Sequence, residues 1–324
     1  MQEYELSVIL PARNEIFLKQ TIDDILKNKR GKTEIIVVLD GLWADPAIPQ
    51  HPDVNVIYVP ESIGQRSATN LGAKLAKGNF IMKLDSHCSW DDGYDQKMID
   101  FIKKHGNDVT VVGIMRNLWA FSWKCYHCGW KKYQSPTPEK CPQCGKSDKI
   151  RRKMMWVGKE RPQSYSYCFD SEPHFQYFED YKHRKGEDGL TNKERARRDG
   201  FSETMSLQGS CWMMSREKYL EYMPIREEFG SWGNEGLEMA CREWLSGGKV
   251  LVNHKTWYAH MFRTQGGSFG FPYPQSGREV QKTKNAVWEA ILNKKLPNQK
   301  YSVSWLIKKF MPTGWDENKI KELK

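Results

Sequence analysis

Two clusters of residues in this chain have the types and spacing for chemistry. Asp85-Ser86-His87 closes an apolar run (Phe80, Ile81, Met82, Leu84) that follows a Gly-Asn turn. A carboxylate and an imidazole two residues apart on an extended chain point to the same side, where they can share a divalent cation. The tripeptide alone reads equally well as a strand-end Asp capping a turn beside a surface His, so the rest of the chain has to decide. The second cluster is Cys125-x2-Cys128 and Cys141-x2-Cys144, two knuckles twelve residues apart, each followed by a glycine (Gly129, Gly145). Four thiolates at this spacing predict a closed, tetrahedral Zn²⁺ site, structural because no coordination position stays open. A redox role needs only one such pair. Cys88, Cys168, Cys211 and Cys241 are isolated and read as small buried side chains.

The elements that must position these residues follow from periodicity. Leu6 to Leu10, Glu34 to Leu39, Val54 to Val59, Phe80 to Leu84 and Val109 to Ile114 read as strands. Phe17 to Lys27, Ser67 to Lys77 and Tyr94 to Lys104 read as the helices between them. Such alternation predicts an α/β fold with a parallel sheet covered on both faces, and ligands bind such sheets at the carboxyl ends of the strands. Asp85 stands at one of those ends. Between Leu118 and Gly200 the chain turns aromatic, basic and weakly periodic. Regular structure resumes with a strand over Ser206 to Met214, a helix over Leu237 to Leu245, and short strands at Val250 to Val252 and Thr256 to His260. One further helix, Glu279 to Asn293, precedes a basic tail.

The net charge of +10 is uneven. Trp119 to Arg161 holds eleven Lys/Arg against three Asp/Glu, and Arg278 to Lys324 eleven against five. Runs of this kind are ordinarily solvated faces, but they are also the footprint of polyanion or nucleic-acid binding. At 324 residues the chain can bury a substantial core. No stretch approaches the ~20 apolar residues of a membrane span, and acids precede the first apolar run, the reverse of a secretory leader. A cytoplasmic protein is the expectation, with thiols or metal ligands rather than disulfides.

Ser7-Val8-Ile9-Leu10-Pro11-Ala12-Arg13-Asn14-Glu15 resembles the opening strand and loop of family 2 GT-A glycosyltransferases, and Glu34 to Gly41 (EIIVVLDG) resembles their second strand. Gly64 to Lys74 (GQRSATNLGAK), LDSHCSW, Trp232 to Glu238 (WGNEGLE), Tyr258 to Arg263 (YAHMFR), Pro272-Tyr273-Pro274 and Lys284 to Trp288 (KNAVW) are similar to the polypeptide N-acetylgalactosaminyltransferases. The resemblance covers about two thirds of the chain in separated, ordered blocks.

It implies a GT-A fold, a UDP-sugar donor, and Mn²⁺ held by Asp85, His87 and His260 with the diphosphate oxygens. Imidazole and carboxylate suit such a borderline ion. It further implies that Pro11, Arg13, Glu15 and Asp40 contact the nucleotide, Asp40 at uridine, together with Arg66 and Arg263. In the family the basic residue matching Arg66 falls one place later, on Ser67. Gly209 and Ser210 would border the sugar, where a small residue admits close backbone approach. Trp232 and Glu235 would stand by donor sugar and acceptor as catalytic residues. Trp232 reads otherwise as a core aromatic, and Glu238 as an exposed helix acid. Arg263 to Gly277, rich in glycine and aromatics, reads as a lid excluding water from the donor, or as an ordinary surface loop. Inverting relatives carry Glu-Asp with the Asp as base, where this chain has Glu235-Gly236, so retention of configuration is expected. If the enzyme inverts, Glu235 is the remaining base.

Four segments follow: a nucleotide-sugar half (1–117), a basic four-cysteine zinc-ribbon insertion (118–165), a sugar and acceptor half with the lid (166–277) and a C-terminal helix with its tail (278–324). The insertion also offers Lys131, Lys132, Lys149, Arg151, Arg152 and Lys153 to a polyanion. The first expectation for the acceptor is a hydroxymethylated base in DNA, which would have to be flipped out of a duplex. The second is a protein or saccharide hydroxyl. The third abandons catalysis for a degenerate transferase fold used as a zinc-ribbon nucleic-acid binder.

Overall fold

A computed structural model describes residues 3–162, 164–262, 273 and 277–323. Strands β1 (Leu6–Ala12), β2 (Thr33–Asp40), β3 (Val54–Val59) and β4 (Phe80–Leu84) alternate with helices α1 (Leu18–Asn28) and α2 (Gln65–Leu75). Strand β5 (Cys88–Trp90), helix α3 (Tyr94–His105) and the long strand β6 (Val109–Cys125) follow. Strands β7 (Lys131–Tyr133), β8 (Ile150–Pro162), β9 (Tyr167–Phe169) and β10 (Phe175–Tyr177) lead to helix α4 (Asn192–Asp199) and strand β11 (Phe201–Glu203). The chain then runs through β12 (Cys211–Ser215), α5 (Arg216–Tyr222), α6 (Glu235–Ser246), β13 (Lys249–His260), α7 (Gly277–Leu292), α8 (Val303–Phe310) and α9 (Glu317–Glu322).

One sheet of order β11-β13-β6-β12-β4-β1-β2-β3 carries the molecule. Strands β3, β2, β1 and β4 are mutually parallel, as are β6 and β13. Antiparallel β12 joins the two groups, lying between β4 and β6. The sheet is therefore mixed rather than all parallel, yet the carboxyl ends of β1, β2, β4, β6 and β13 still face one edge.

Period-two alternation splits the core. In β1 and β2, Ile9, Ile36 and Val38 pack on one face with α2, α6, α7 and α8. Val8, Leu10, Ile35, Val37 and Leu39 pack on the other with Leu18, Ile22 and Ile25 of α1 and Tyr94, Met98, Ile99 and Ile102 of α3. Strands buried on both faces are continuous apolar runs for this reason. Cys88, Cys168, Cys211 and Cys241 are buried as expected of small apolar side chains.

Four expectations need correction. The segment after α7 is no basic tail: α8 and α9 bury Val303, Leu306, Ile307, Phe310 and Ile320, so the charges solvate only the outer faces of amphipathic helices. The two short strands before His260 are one strand, β13, with an irregularity between Asn253 and Trp257 that hid its continuity. The strand read over Ser206 to Met214 starts only at Cys211, because the preceding Gln-Gly-Ser segment bends beside the α6 N-terminus. Strand β6 does not stop at Ile114 but continues to Cys125, pairing with β7 and β8. No helix among the described residues is long and apolar enough to cross a membrane.

Candidate active site

Asp85 leaves the carboxyl end of β4, and its backbone N–H donates to the Ser210 carbonyl at 2.8 Å. The Ser86 hydroxyl donates to the Pro11 carbonyl at 3.0 Å, pinning the tripeptide to the end of β1. His260 ends β13, where it pairs with Cys88 of β5 and Asn117 of β6. These ladders bring three donors together. His87 Nε2 lies 3.1 Å from His260 Nε2, which is 3.3 Å from Asp85 Oδ2. His87 Nε2 is 3.9 Å from the same oxygen. Neighbouring ligands on an ion with bonds of about 2.1 Å lie roughly 3.0–3.4 Å apart, so the trio fits a divalent cation after small adjustment. His87 Nδ1 meets Glu15 Oε2 at 3.0 Å, which orients the ring and leaves Nε2 for the ion.

Charge around the trio is shaped by burial. Lys83, inside β4 and wholly buried, donates to Asp85 Oδ1 and to the Gly209 carbonyl, both at 2.6 Å, and sits 3.6 Å from Glu235 Oε2. Burial alone would raise the Asp85 pKa, but the Lys83 ammonium, the hydrogen bond from His260 and the charge of His87 together outweigh it and hold the carboxyl well below the usual range. Burial works against the Lys83 charge too, and the Asp85 and Glu235 carboxylates more than restore it. His260 is pushed down to about 4 by burial. Burial pushes Glu235 upward. Trp212 Nε1 donates to Glu235 Oε1 at 2.7 Å, while Oε2 has no hydrogen-bond partner among the described residues.

The trio stands where two cavities meet. One, of about 300 Å³, is lined by Pro11, Arg13, Glu15, Ser86, His87, His260 and Tyr273. The other, of about 310 Å³, is lined by Lys83, Gly209, Ser210, Asn234, Glu235 and the aromatic rings Phe175 and Tyr177. Gln65, Asp85, Gln208, Trp232 and Phe262 belong to both. Trp232 is thus a half-buried wall between the cavities rather than a core aromatic. The second cavity has its tight floor for a steric reason. A Cβ on Gly236 would fall 2.0 Å from the Leu207 carbonyl oxygen and 2.9 Å from the Gly209 nitrogen. Only glycine lets the α6 N-terminus approach that backbone, so position 236 has no room for a carboxylate.

The remaining expected residues among those described have structural contacts of their own. Asp40 is fully buried, and its carboxylate accepts from Ser62 Oγ and the Ile63 and Gly64 backbone N–H groups at 2.9, 2.6 and 2.9 Å, fixing that loop. Arg13 donates to the Asp40 carbonyl at 2.9 Å. Arg66 lines neither cavity: it pairs with buried Glu238 and donates to the Gly233 carbonyl at 2.6 Å, tying α2 to the turn before α6. Glu238 is accordingly no exposed acid but the centre of a buried Arg66–Glu238–Arg242 network. Arg263 and the remainder of the proposed lid, Tyr273 and Gly277 apart, lie outside the described residues. Lys83, Gln65, Gln208 and Trp212 were missed. Only Lys83 left a trace, a single charge within an otherwise apolar strand.

The four knuckle cysteines also converge. Cys125 Sγ lies 3.7 Å from Cys144 Sγ, and Cys128 Sγ 3.6 Å from Cys141 Sγ. Tetrahedral Zn–S bonds of about 2.3 Å require edges near 3.8 Å, so the sulfurs fit such an ion.

Residues 7–143 match the Glycosyl transferase family 2 family. Polypeptide N-acetylgalactosaminyltransferase 3 of Taeniopygia guttata is 27% identical over 276 residues, 80% of this chain and 38% of that protein. The chain thus spans well under half the length of this curated relative. A crystal structure of GalNAc-T7 with UDP, GalNAc and Mn²⁺ superposes with a TM-score of 0.64 at 17% identity, covering 95% of this chain and 57% of the other. A structure of S. aureus TarS 1-349 gives 0.51 at 12% identity, covering 95% and 70%. The chain has the GT-A glycosyltransferase fold, with a four-cysteine insertion carried on its longest strand.

Proposed function

We propose that the protein is a metal-dependent glycosyltransferase that moves a sugar from a UDP-sugar to a hydroxyl acceptor with retention of configuration. The observation that carries this reading is the Asp85–His87–His260 trio at the junction of two cavities on the carboxyl edge of the sheet. Mn²⁺ held there would neutralise the charge that develops on the leaving diphosphate. Asp85, His87 and His260 hold the ion, Glu15 fixes the His87 ring, and Lys83 holds the Asp85 oxygen that faces the sugar cavity. The cavity bearing Pro11, Arg13 and Tyr273 takes the nucleotide. Gly209 and Ser210 border the sugar, and Trp232 walls it.

Glu235 Oε2, buried and without a hydrogen-bond donor among the described residues, is available to a hydroxyl of the sugar or the acceptor. Retention is favoured because Gly236 excludes a carboxylate from the position a base would occupy. The cysteine cluster takes Zn²⁺ and stabilises the insertion. A polyanionic acceptor, a hydroxymethylated base in DNA, fits the basic insertion, and the protein acts in the cytoplasm.

A protein hydroxyl is the second reading, favoured by the names of the relatives. An intact trio speaks against a degenerate, purely binding role. Incubation with UDP-sugars and Mn²⁺ against hydroxymethylated DNA, peptides and glycans, with NMR of the anomeric product, tests all of this. Transfer to peptide but not to hydroxymethylated DNA overturns the DNA acceptor; an inverted product overturns retention.

A further inference from the structure

Strands β7 and β8 flank the second half of β6 and extend the main sheet there as three strands. Cross-strand neighbours share a face. One row is Lys131–Lys124–Arg151 and the next is Tyr133–Ser122–Lys153. Like charges abreast destabilise a sheet. Yet among the described residues Lys124, Lys131, Arg151, Lys153 and neighbouring Lys159 form no ion pair. The cations are instead interleaved with rings. Lys159 Nζ lies 5.3 Å from the Trp119 ring centroid and 5.9 Å from that of Tyr133, and Lys124 Nζ lies 4.8 Å from that of Tyr126. Trp119, Tyr126 and Tyr133 are 41%, 58% and 44% exposed, so folding leaves much of these rings open to solvent.

We propose that this face binds single-stranded nucleic acid, its cations taking the phosphates and its rings stacking on bases. An acidic peptide or a base-free phosphate polymer would use the charges but have no bases for Trp119 and Tyr126. Stacking also requires unpaired bases, which favours a single strand over duplex. Strand β6 connects the face to the active site, since Asn117 pairs with His260. At about 3.3 Å per residue, Ser122 to Lys124 lie roughly 17–23 Å along the strand from that point. A single strand laid along β6 would have to span that distance to enter the sugar cavity. That it presents the acceptor rests on the transferase reading; the binding itself does not.

Fluorescence anisotropy of the zinc-replete protein with a labelled single-stranded oligodeoxynucleotide tests the proposal at two salt concentrations. The triple variant K131E/R151E/K153E should weaken binding at least tenfold and reduce the slope of log affinity against log salt by about 2. Trp119→Ala and Tyr126→Ala should each weaken it about fivefold or more, leave affinity for inorganic polyphosphate unchanged, and leave UDP-sugar hydrolysis intact. Equal affinity for duplex, or ring variants that bind the oligonucleotide like wild type, overturns the assignment. Oligonucleotide binding without any sugar transfer or donor hydrolysis would defeat the transferase reading and leave this one standing; hydrolysis without oligonucleotide binding does the reverse.

Discussion

The two metal-type clusters of this molecule are built in opposite ways. The sulfurs of Cys125 and Cys144 meet across nineteen residues, within one small β-ribbon, whereas His87 and His260 meet across 173. The cysteine cluster has only a small core of its own, Cys125, Cys141 and Ile150, with Trp123 and Trp130 packed against it. The Asp85–His87–His260 trio is positioned by four strands of the main sheet, by Glu15 behind one imidazole and by Lys83 behind the carboxylate. Local ligands, if they take the Zn²⁺ proposed above, would need it to fold their loop. Distant ligands are held by a fold that exists without metal, and on the reading proposed above a cation there would serve chemistry.

That contrast breaks most sharply at the trio. Asp85→Asn or His260→Ala should cut both transfer and donor hydrolysis by roughly 10³-fold, the scale of several kcal/mol of lost charge stabilisation, with a cooperative melt retained. Activity near wild type in either variant would show that the trio is not the reaction's cation site. Next comes the backbone contact beside it. Gly236→Ala forces a Cβ into the Leu207 carbonyl and should cost about 3 kcal/mol or more by denaturant titration.

Glu15→Gln sharpens the comparison, because only the trio has a carboxylate behind its imidazole. Metal affinity measured by calorimetry should fall about 10- to 100-fold, with secondary structure unchanged. Cys141→Ser with Cys144→Ser should abolish one equivalent of zinc by metal analysis and expose 118–162 to protease, yet leave donor hydrolysis near wild type. A collapse of hydrolysis would instead join the two clusters functionally.

The smallest effect is pH. His254, stacked on Tyr165 and bonded to Ser202 Oγ at 2.8 Å, is held neutral down to about 4 by burial. The unfolded chain takes its proton near 6.5. The stability this imidazole contributes is therefore whole above that value and is lost as pH falls below it, by about 2 kcal/mol at most at pH 5. His254→Gln should flatten that part of the melting profile between pH 7 and 5, and an unchanged profile would remove His254 from the account.

The early strands and helices were legible because each carries its own period. Phe80–Leu84 and Val54–Val59 match to the residue, and the helices shift by one or two positions. The cysteine cluster was legible because its four thiols sit on one short segment. Gly236 was visible as a departure from a motif, but its reason was not, since the atom that excludes a side chain belongs to Leu207, far off in sequence. Arg66 and Glu238 show the same limit. A helix acid and a neighbouring arginine read as surface or ligand groups, and only the packing of α2 on α6 buries them as a pair. Sequence by itself determined the alternating α/β half, the cysteine spacing and the residue types of the cation trio, all of which are periodic or local. Tertiary structure alone decided which face Lys83 serves, that Asp40 holds a loop, and that the cavity walled by Trp232 opens against Glu235. Those facts depend on strand register and on approach between segments 22 residues apart at Asp40 and Ser62 and 126 apart at Lys83 and Gly209, which no local pattern encodes.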